Sequence, residues 1–307
     1  MTAPIKVGLI LPLFSGDLAK ALAAATDAER LGFDGVFGFD HFFPPGAPSD
    51  RASLELFTTL AAAAARTERL TVGSLVTRAV LRPPGLVAKM ASTIDAVAGG
   101  GRMVVGVGSG DPIDLPEHAA FGFPDLSPED RRAHLEEWIT ALRDLFRGEP
   151  FPGGAHVPPV AGPLLPRPEP PPPVWVGGQA PAVVRLAARS ADGWNGWGST
   201  PENFRTKASL LREEAARAGR EGTPDATWAG IVMVGEDDAE AKALAATREE
   251  KGIDALGFHG SPEAFAEFLG DLAGAGATWA IVVLAGPGDR RTLVGERTLP
   301  ALRGSTD

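Results

Sequence analysis

The sequence predicts a single (β/α)8 barrel, the TIM-barrel class of α/β fold. Short apolar runs alternate with amphipathic helical segments along most of the chain, a pattern typical of parallel strands joined by right-handed crossovers. Eight such strands are predicted, and that number favours closure into a barrel over an open sheet. The length of 307 residues suits one domain of this class.

The first half of the chain contains four predicted strands and three predicted helices. An apolar run at residues 7–14 follows a single lysine, as it would in a signal peptide, but Pro12 interrupts the run and a helix follows. A first strand is therefore favoured. The first helix is rich in alanine and ends before Gly32, a typical stop position. The predicted strands are residues 5–11, 34–39, 70–76 and 103–107, and the predicted helices are residues 17–31, 52–66 and 85–97.

The alternation is interrupted between residues 111 and 173. This segment contains one clear helix, at residues 128–146, and nine of the sixteen residues from 158 to 173 are proline. Such a stretch could be a linker between two domains, a ligand for a proline-recognition module, or part of an insertion. The insertion is favoured because the strand–helix alternation resumes at once. We therefore predict one domain over residues 1–307, with residues 111–173 as an insertion or lid over the carboxyl-terminal face.

The second half of the chain supplies the other four strands. Active sites of such barrels lie at the carboxyl ends of the strands. The predicted strands are residues 174–177, 192–196, 227–234 and 278–284, and the predicted helices are residues 181–190, 201–218, 237–248 and 262–273. The segments expected to carry function are residues 39–43, 74–82, 108–114, 177–180 and 194–197.

The composition excludes several classes of protein. The formal net charge is −10 and lysine and arginine form no cluster, whereas a nucleic-acid binder needs a basic face. There are no cysteines, which excludes disulfides, iron–sulfur clusters and thiolate zinc sites. No apolar segment approaches the ~20 residues that a membrane span needs. A cytoplasmic protein that acts on a small molecule is the default expectation.

Two glycine-containing segments lie at predicted strand ends. Residues 106–111 (GVGSGD) do not match the dinucleotide-binding pattern, because the third glycine comes one position early and no helix starts directly after it. Glycines at this place instead favour the close approach of a flat ligand to the main chain. Residues 176–181 (VGGQAP) lie at a strand-to-helix junction and could form either a phosphate cradle or a plain tight turn. Their position after strand five counts slightly against phosphate, which more often binds after strands seven and eight.

The candidate catalytic residues point to a cofactor as the source of the chemistry. His41 is the one histidine of five at a predicted strand end, where it could serve catalysis or structure. No metal site is expected, because neither an H-x-x-x-H spacing nor a carboxylate–histidine cluster occurs at the strand ends. The six lysines avoid strand ends, which disfavours a Schiff base. The difficult chemistry would then belong to a cofactor. Side chains that could form an aromatic wall for its ring system, unless they belong to the core, are Phe14, Phe39, Phe42, Trp194 and Trp197.

Four segments together resemble the bacterial-luciferase-like flavin and deazaflavin oxidoreductases. They occur in order at the strand ends, and the resemblance covers most of the chain. The four segments are AERLGFDGVFGFDHF, ERLTVGSLVTRAVLRPPGLVAK, GRMVVGVGSGD and PPVWVGGQAPAVVRLAARSADGWNGW.

The resemblance implies a role for the end of strand two and for strand three. Asp40 and His41 match the Asp-His pair of the deazaflavin-dependent members, so His41 is expected to act on protons at the redox centre. Asp40 beside it is expected to be a catalytic and cofactor-binding residue. Because adjacent strand residues point to opposite faces, the strand must end or bulge here, or one of the pair must serve another role. Ser74 and Leu75 match a bulge with a non-proline cis peptide behind the cofactor ring.

The resemblance also implies roles for two later segments. Ser109, Gly110 and Asp111 match a stretch beside the cofactor, with Asp111 as a candidate catalytic carboxylate. The deazaflavin relatives often have Thr and Glu in place of Ser109 and Asp111, and the shorter side chain of Asp111 puts its direct role in doubt. A phosphate-proximal turn, expected to hold the phosphate mainly through backbone N–H groups, is matched by Gly177, Gly178 and Gln179.

The family divides by cofactor. The Asp-His pair and the GVGSGD segment favour the branch that uses coenzyme F420 and transfers hydride to or from a small organic substrate. The alternative is a flavin mononucleotide (FMN) monooxygenase served by a separate flavin reductase. An alternative of another class is a non-catalytic flavin-binding protein, and an unrelated soluble barrel also stays open. A homodimer is expected.

Overall fold

The computed structural model describes residues 4–45, 50–250 and 257–304, and it confirms the (β/α)8 barrel. The strands in these residues are β1 Lys6–Ile10, β2 Gly35–Gly38, β3 Thr71–Ser74, β4 Thr77–Arg78, β5 Met103–Gly108, β6 Val174–Gly177, β7 Gly193–Trp197, β8 Asp225–Val234, β9 Phe258–Gly260 and β10 Trp279–Leu284. Eight of them close the barrel in the order β1-β2-β3-β5-β6-β7-β8-β10, since β10 pairs in parallel with both β8 and β1. The short strands β4 and β9, which the sequence did not predict, pair with β5 and β8.

The helices form an outer ring around the strands. They are α1 Leu18–Arg30, α2 Leu56–Ala64, α3 Pro84–Val97, α4 Leu115–Phe121, α5 Pro128–Arg147, α6 Pro181–Ser190, α7 Pro201–Arg217, α8 Asp238–Glu250, α9 Pro262–Gly274, α10 Arg290–Leu293 and α11 Leu299–Gly304. Side chains of Asp17, Ser127, Thr200 and Ser261 accept backbone N–H groups at the starts of four of them, which stabilises their first turns. Among the described helices, none combines the length and apolar character that a bilayer span needs.

Aromatic side chains fill the barrel below its carboxyl-terminal opening. The ring of Phe37 stacks on Trp175 with 5.8 Å between centroids and meets Trp279 edge-on at 5.5 Å. Gly8 and Gly73 make room for it, because a Cβ at these positions would lie 2.8 Å and 2.7 Å from the Phe37 ring. Because these packed rings fill the interior of the barrel, a ligand has space only at the opening above them.

The clear helix of the predicted insertion belongs to the barrel ring. α5 packs between α3 and α6, where the fourth helix of such a barrel is expected. Because α5 runs opposite to the strands, its end at Arg147 and the start of β6 both lie at the amino-terminal end of the barrel. Residues 148–173 therefore begin and end at that end of the barrel.

The proline-rich segment packs against the outer surface of α3 and α5. It does not cover the carboxyl-terminal face, which was the position predicted from the sequence. Glu137 of α5 accepts the N–H groups of His156 and Val157 at 2.7 and 2.8 Å, and Lys89 of α3 donates to the Leu165 carbonyl. Residues 109–127 are the part of the predicted insertion that lies at the carboxyl-terminal face. That the whole chain unfolds as one domain stays a prediction.

Candidate active site

His41 lies at the carboxyl-terminal opening, just beyond β2. Its Nδ1 atom is 2.9 Å from Oε2 of Glu117, and its side chain is 17% exposed. One edge of the ring packs against Phe14, with 6.0 Å between centroids. A carboxylate can only accept a hydrogen bond, so Nδ1 carries the proton and Nε2 is the ring nitrogen that can exchange a proton with a bound molecule.

Glu117 of α4 is almost fully buried and gathers three donors. Oε1 accepts the backbone N–H of Phe42 and, at 2.8 Å, Nη2 of Arg78, while Oε2 faces His41. Burial raises the pKa of Glu117, but the hydrogen bonds from His41, the Phe42 N–H and Arg78 outweigh it, so the pKa lies below the usual glutamate value. Glu117 is therefore an anion at neutral pH.

Arg78 of β4 is the counter-ion of this cluster and is 3% exposed. Its Nη2 also donates to the carbonyl oxygen of Asp40 at 2.9 Å, and its Nη1 lies 3.7 Å from Oδ1 of Asp114. Within the described residues, Nε and Nη1 have no hydrogen-bond partner. A buried guanidinium with unused donors can bind a polar group of a ligand or an ordered water.

Asp40 has different partners from its neighbour His41. Its carboxylate accepts the Thr77 hydroxyl at 2.5 Å and forms an ion pair with Arg82. It is 4% exposed. β2 ends at Gly38, so both residues lie beyond the regular strand, and their side chains have different partners. Asp40 fixes the segment after β3, and its direct contact with a cofactor stays a prediction.

Three of the five predicted wall residues line the opening. Phe14 stacks on Phe39 at 5.9 Å, and Phe39 meets Trp197 edge-on at 5.6 Å. Trp197, the last residue of β7, is 41% exposed and offers an open indole surface. These rings make one apolar side of the opening, next to His41.

The other two predicted wall residues lie elsewhere. Trp194 is fully buried between the sheet and α7, where it stacks on Phe204 at 5.3 Å. It lies three positions before Trp197 on the same strand, so its side chain faces outward. Phe42 stacks on Phe121 of α4 at 4.4 Å and helps to hold that helix over the opening.

Two glycines of GVGSGD, Gly106 and Gly108, make room for the protein's own chain, while the predicted approach of a flat ligand to this segment stays a prediction. The Ser74 hydroxyl donates to the Gly106 carbonyl at 2.8 Å. A Cβ at Gly106 would lie 2.3 Å from the carbonyl oxygen of Ser74, and one at Gly108 or Gly177 would lie 2.9 Å from Val76. Residues 74–76 therefore cross the opening in the space that these glycines provide.

The non-proline cis peptide joins Leu75 to Val76, so the predicted position between Ser74 and Leu75 is wrong by one bond. β3 stays regular through Ser74, which pairs with Gly38, and the Leu75 N–H still donates to the Gly38 carbonyl at 2.8 Å. The chain leaves the sheet only after Leu75. Ser74 is fully buried and its hydroxyl donates to the Gly106 carbonyl, so it stabilises the chain that borders the opening.

Residues 109–114 form a turn after β5. Ser109 and Gly110 are half-buried, and Gly110 has a φ of 78°, a conformation that favours glycine. Asp111 is exposed, and its N–H donates to Oδ2 of Asp114 at 2.7 Å. Asp114 and not Asp111 approaches His41, with 3.9 Å between Oδ1 and Nδ1. A catalytic role for Asp111 stays a prediction that this arrangement does not favour.

The turn between β6 and α6 contains Gly177, Gly178 and Gln179. The N–H of Gly178 donates to the carbonyl oxygen of Asn195 at 3.2 Å, so it is already engaged in the sheet. Gly178 has a φ of 150°, and a Cβ there would lie 2.9 Å from Val183. The tight turn thus needs this glycine, whereas the predicted phosphate contact through its N–H is not supported.

Lys207 of α7 reaches this turn, which the sequence analysis did not anticipate. Its Nζ donates to Oε1 of Gln179, whose amide donates to the carbonyl of Trp197. Burial lowers the pKa of Lys207. Within the described residues no carboxylate pairs with it. A half-buried ammonium group beside a strand-to-helix turn is a feature that binds anions.

His41, Asp114 and Glu117 form a carboxylate–histidine cluster, whereas no such cluster was predicted at the strand ends. Their candidate metal-ligand atoms lie within 4.8 Å of one another. Asp114 lies in a segment that was expected to carry function but was not singled out there, and Glu117 lies in α4, a helix that was not predicted. Oε1 of Glu117 already holds Arg78, so the cluster surrounds a guanidinium. His118 lies beside this cluster. Its pKa is held below the usual histidine value by burial and by the charge of Arg78.

The comparisons with known proteins agree with this architecture. A family model described as luciferase-like monooxygenase matches residues 4–291. The chain belongs to this family. Among its sequence relatives, an F420-dependent glucose-6-phosphate dehydrogenase of Beutenbergia cavernae is 34% identical over 231 residues, which are 74% of this chain and 67% of the relative. The enzyme of the same description from Intrasporangium calvum is 37% identical over 170 residues, 54% of this chain and 50% of the relative. The matches thus span between half and two thirds of these relatives.

Solved structures of similar proteins show the same fold at low sequence identity. An F420-dependent secondary alcohol dehydrogenase in complex with an F420–acetone adduct has a TM-score of 0.85 at 19% identity, covering 98% of this chain and all of that one. The coenzyme F420-dependent tetrahydromethanopterin reductase of Methanopyrus kandleri has a TM-score of 0.77 at 21% identity, with 98% and 100% covered. An EDTA monooxygenase from Chelativorans has a TM-score of 0.79 at 16% identity, with 99% and 94% covered. The predicted luciferase-like family and its barrel are confirmed.

Proposed function

We propose that this luciferase-like protein is an oxidoreductase that transfers hydride between coenzyme F420 and a small organic substrate. The observation that carries the proposal is the pair of His41 and Glu117, an imidazole oriented by a buried carboxylate beside an aromatic wall at the barrel opening. The F420-dependent descriptions of the sequence relatives support the choice of cofactor.

The residues around the opening fit such a cofactor. A flat ring can pack against the exposed face of Trp197. At the β6–α6 turn, Lys207 supplies a positive charge. The N–H groups of Gln179 and Ala180 there make no hydrogen bond within the described residues. We assign this turn to the phosphate of the cofactor, with Gln179 and Lys207 as its main contacts and Gly177 and Gly178 shaping the turn.

Coenzyme F420, when bound, would supply the hydride chemistry. A carbonyl–alcohol conversion also moves a proton at the substrate oxygen, and His41 is placed to hold or give that proton through Nε2. Glu117 keeps the proton on Nδ1 and stabilises the imidazolium. Asp40 orients the segment after β3 through Thr77 and Arg82, which positions Arg78.

An FMN-dependent monooxygenase is the second candidate, because the family is described by that activity and the EDTA monooxygenase shares the fold. The two candidates differ in their need for oxygen. Purified protein supplied with reduced F420 and a panel of carbonyl compounds should oxidise the cofactor without oxygen. Turnover only with reduced FMN and oxygen would contradict the proposal. The predicted homodimer, and a flavin reductase as partner, depend on the resemblance alone and stay predictions.

A further inference from the structure

A cavity of about 640 Å³ opens beside the aromatic wall, between the carboxyl ends of β1 and β10. Its inner part is apolar: Phe14 and Phe39 of the wall, Ile10 and Val283 contribute to it. It continues outward between α1 and the loop that follows β10. A space of this size holds a small organic molecule. Since Phe14 also packs against His41, a molecule in the cavity would lie next to the aromatic wall of the proposed redox centre.

The outer part of the cavity has the opposite charge to the protein as a whole. The chain carries a net charge of −10, yet four cations and one carboxylate line this cavity. The charged lining residues are Lys20, Arg51, Arg290, Arg291 and Asp289.

Two of these four cations are already neutralised. Arg290 pairs with Glu240 at 3.0 Å, and Arg291 forms two hydrogen bonds with Asp289, each of 2.8 Å. Lys20 and Arg51 have no carboxylate within ion-pair distance in the described part of the chain. They are therefore the two cations that lack a counter-ion at the outer part of the cavity.

We propose that this cavity binds the substrate and selects an apolar organic anion, with a carboxylate or similar group held by Lys20 and Arg51. The inference rests on the proposed oxidoreductase function and names its substrate class. The apolar part of the ligand lies against Phe14 and Phe39, and its reacting carbon lies toward His41. Opposite charge in an otherwise acidic protein also attracts such a ligand over a distance.

The lining disfavours a sugar phosphate in the same place. Hydroxyl groups that leave water need hydrogen-bond partners. The residues that line the inner part of the cavity are mostly leucine, isoleucine, valine, proline and phenylalanine, whose side chains offer no hydrogen-bonding groups. The hydroxyl of Ser15, which also lines it, already donates to the carbonyl of Pro12 at 2.8 Å. A polyhydroxylated ligand would leave several hydroxyl groups without partners there.

The test uses two fluorescent probes of nearly the same shape, so that it needs neither the cofactor nor the natural substrate. 8-Anilinonaphthalene-1-sulfonate carries a negative charge, and N-phenyl-1-naphthylamine is its uncharged counterpart. Both would be titrated into the wild-type protein, into Lys20→Glu/Arg51→Glu, and into a control, Lys242→Glu/Arg205→Glu, in which two exposed cations outside the cavity are reversed. Circular dichroism and melting temperature would establish that all three proteins are folded.

The proposal expects the ratio of the two dissociation constants to shift against the anionic probe by about tenfold or more in the cavity variant. The control should shift by less than about twofold, and raising NaCl to about 0.5 M should reduce the wild-type preference. Octanoate should displace the anionic probe from the wild type more strongly than octanol or glucose 6-phosphate.

Equal ratios in all three proteins would overturn the assignment of Lys20 and Arg51. Stronger displacement by glucose 6-phosphate than by octanoate would overturn the apolar character of the ligand. Because no cofactor is present, a failure of F420 binding would contradict the proposed function without changing these results.

Discussion

Exchange of Glu117 for glutamine tests how His41 is held. The substitution keeps the shape of the side chain but replaces Oε2, which faces Nδ1 of His41 at 2.9 Å, by an amide donor. The amide oxygen can still accept from the Phe42 N–H and Arg78. Nδ1 of His41 must then become the acceptor, which moves the proton to Nε2. We therefore expect Glu117→Gln to reverse the tautomer of His41.

The magnitude follows from the burial of this cluster. Breaking a buried ion pair by removing one charge costs about 3–5 kcal/mol. All three hydrogen bonds can persist in weaker form, the one with His41 in the reverse direction, so we expect a loss at the lower end, about 3 kcal/mol of the free energy of unfolding. At roughly 2 °C per kcal/mol for a protein of this size, the melting temperature should fall by about 6 °C. Turnover that uses the Nε2 proton acceptor should fall by about 10² or more.

The assay is a long-range ¹H–¹⁵N spectrum of the histidine rings, which distinguishes the two tautomers without any substrate. Asp114→Asn is the matched control, because Asp114 is also buried but lies 3.9 Å from Nδ1, beyond hydrogen-bond distance. It should leave the tautomer unchanged. An unchanged His41 tautomer in folded Glu117→Gln would refute the reasoning that Glu117 orients the ring.

Three further predictions follow from the same site. His41→Ala should lower turnover by about 10²–10⁴ and leave cofactor affinity within about tenfold; preserved turnover would make His41 structural. Lys207→Met should weaken F420 binding by about tenfold or more through loss of a phosphate contact, while Lys242→Met should not, and equal affinities would place the phosphate elsewhere. Burial and Arg78 lower the pKa of His118 from its usual 6.5, so below that pH the unfolded chain binds a proton that the folded chain does not. The melting temperature should therefore fall as pH drops below about 6.5. Part of this pH dependence should disappear in His118→Leu. The rest is expected from His134, because burial and His156 lower its pKa as well. An unchanged pH dependence in His118→Leu would show that His118 is not involved.

The barrel strands could be predicted because each is a short apolar run followed by an amphipathic helix. β5 was predicted at residues 103–107 and spans Met103–Gly108. α4 was missed because Pro112 and Pro116 suggested an irregular chain. Proline is tolerated in the first turn of a helix, and Pro116 occupies that place in α4. Missing α4 also meant missing Glu117.

The candidate site could be predicted in part from the strand ends. His41 was found in this way. Arg78 and Asp114 lie in strand-end segments that were expected to carry function, but neither was singled out, and Glu117 lies in a helix that was not predicted. Lys207 did leave a signal in the sequence. It lies three residues after Phe204 and four before Leu211, so it is at the edge of the buried face of α7. A lysine at the edge of a buried helix face indicates that an anionic partner could lie nearby.

Composition could not predict which part of the insertion lies near the candidate site. Proline content marked residues 158–173, but only the direction of α5 shows that this stretch lies outside the ring. The shorter segment at residues 109–127 carries two carboxylates next to His41. Chain direction in the folded barrel, and not composition, decided which part approaches the site.

The most direct test of the central claim is an equilibrium titration of the purified protein with F420 and FMN, each oxidised and reduced, without oxygen for the reduced forms. The account predicts that F420 binds at least about tenfold more tightly than FMN in the same redox state. It also predicts that Lys207→Met weakens F420 binding and that His41→Ala leaves it nearly unchanged. Tighter binding of FMN, or no measurable binding of F420 by the folded protein, would contradict the account.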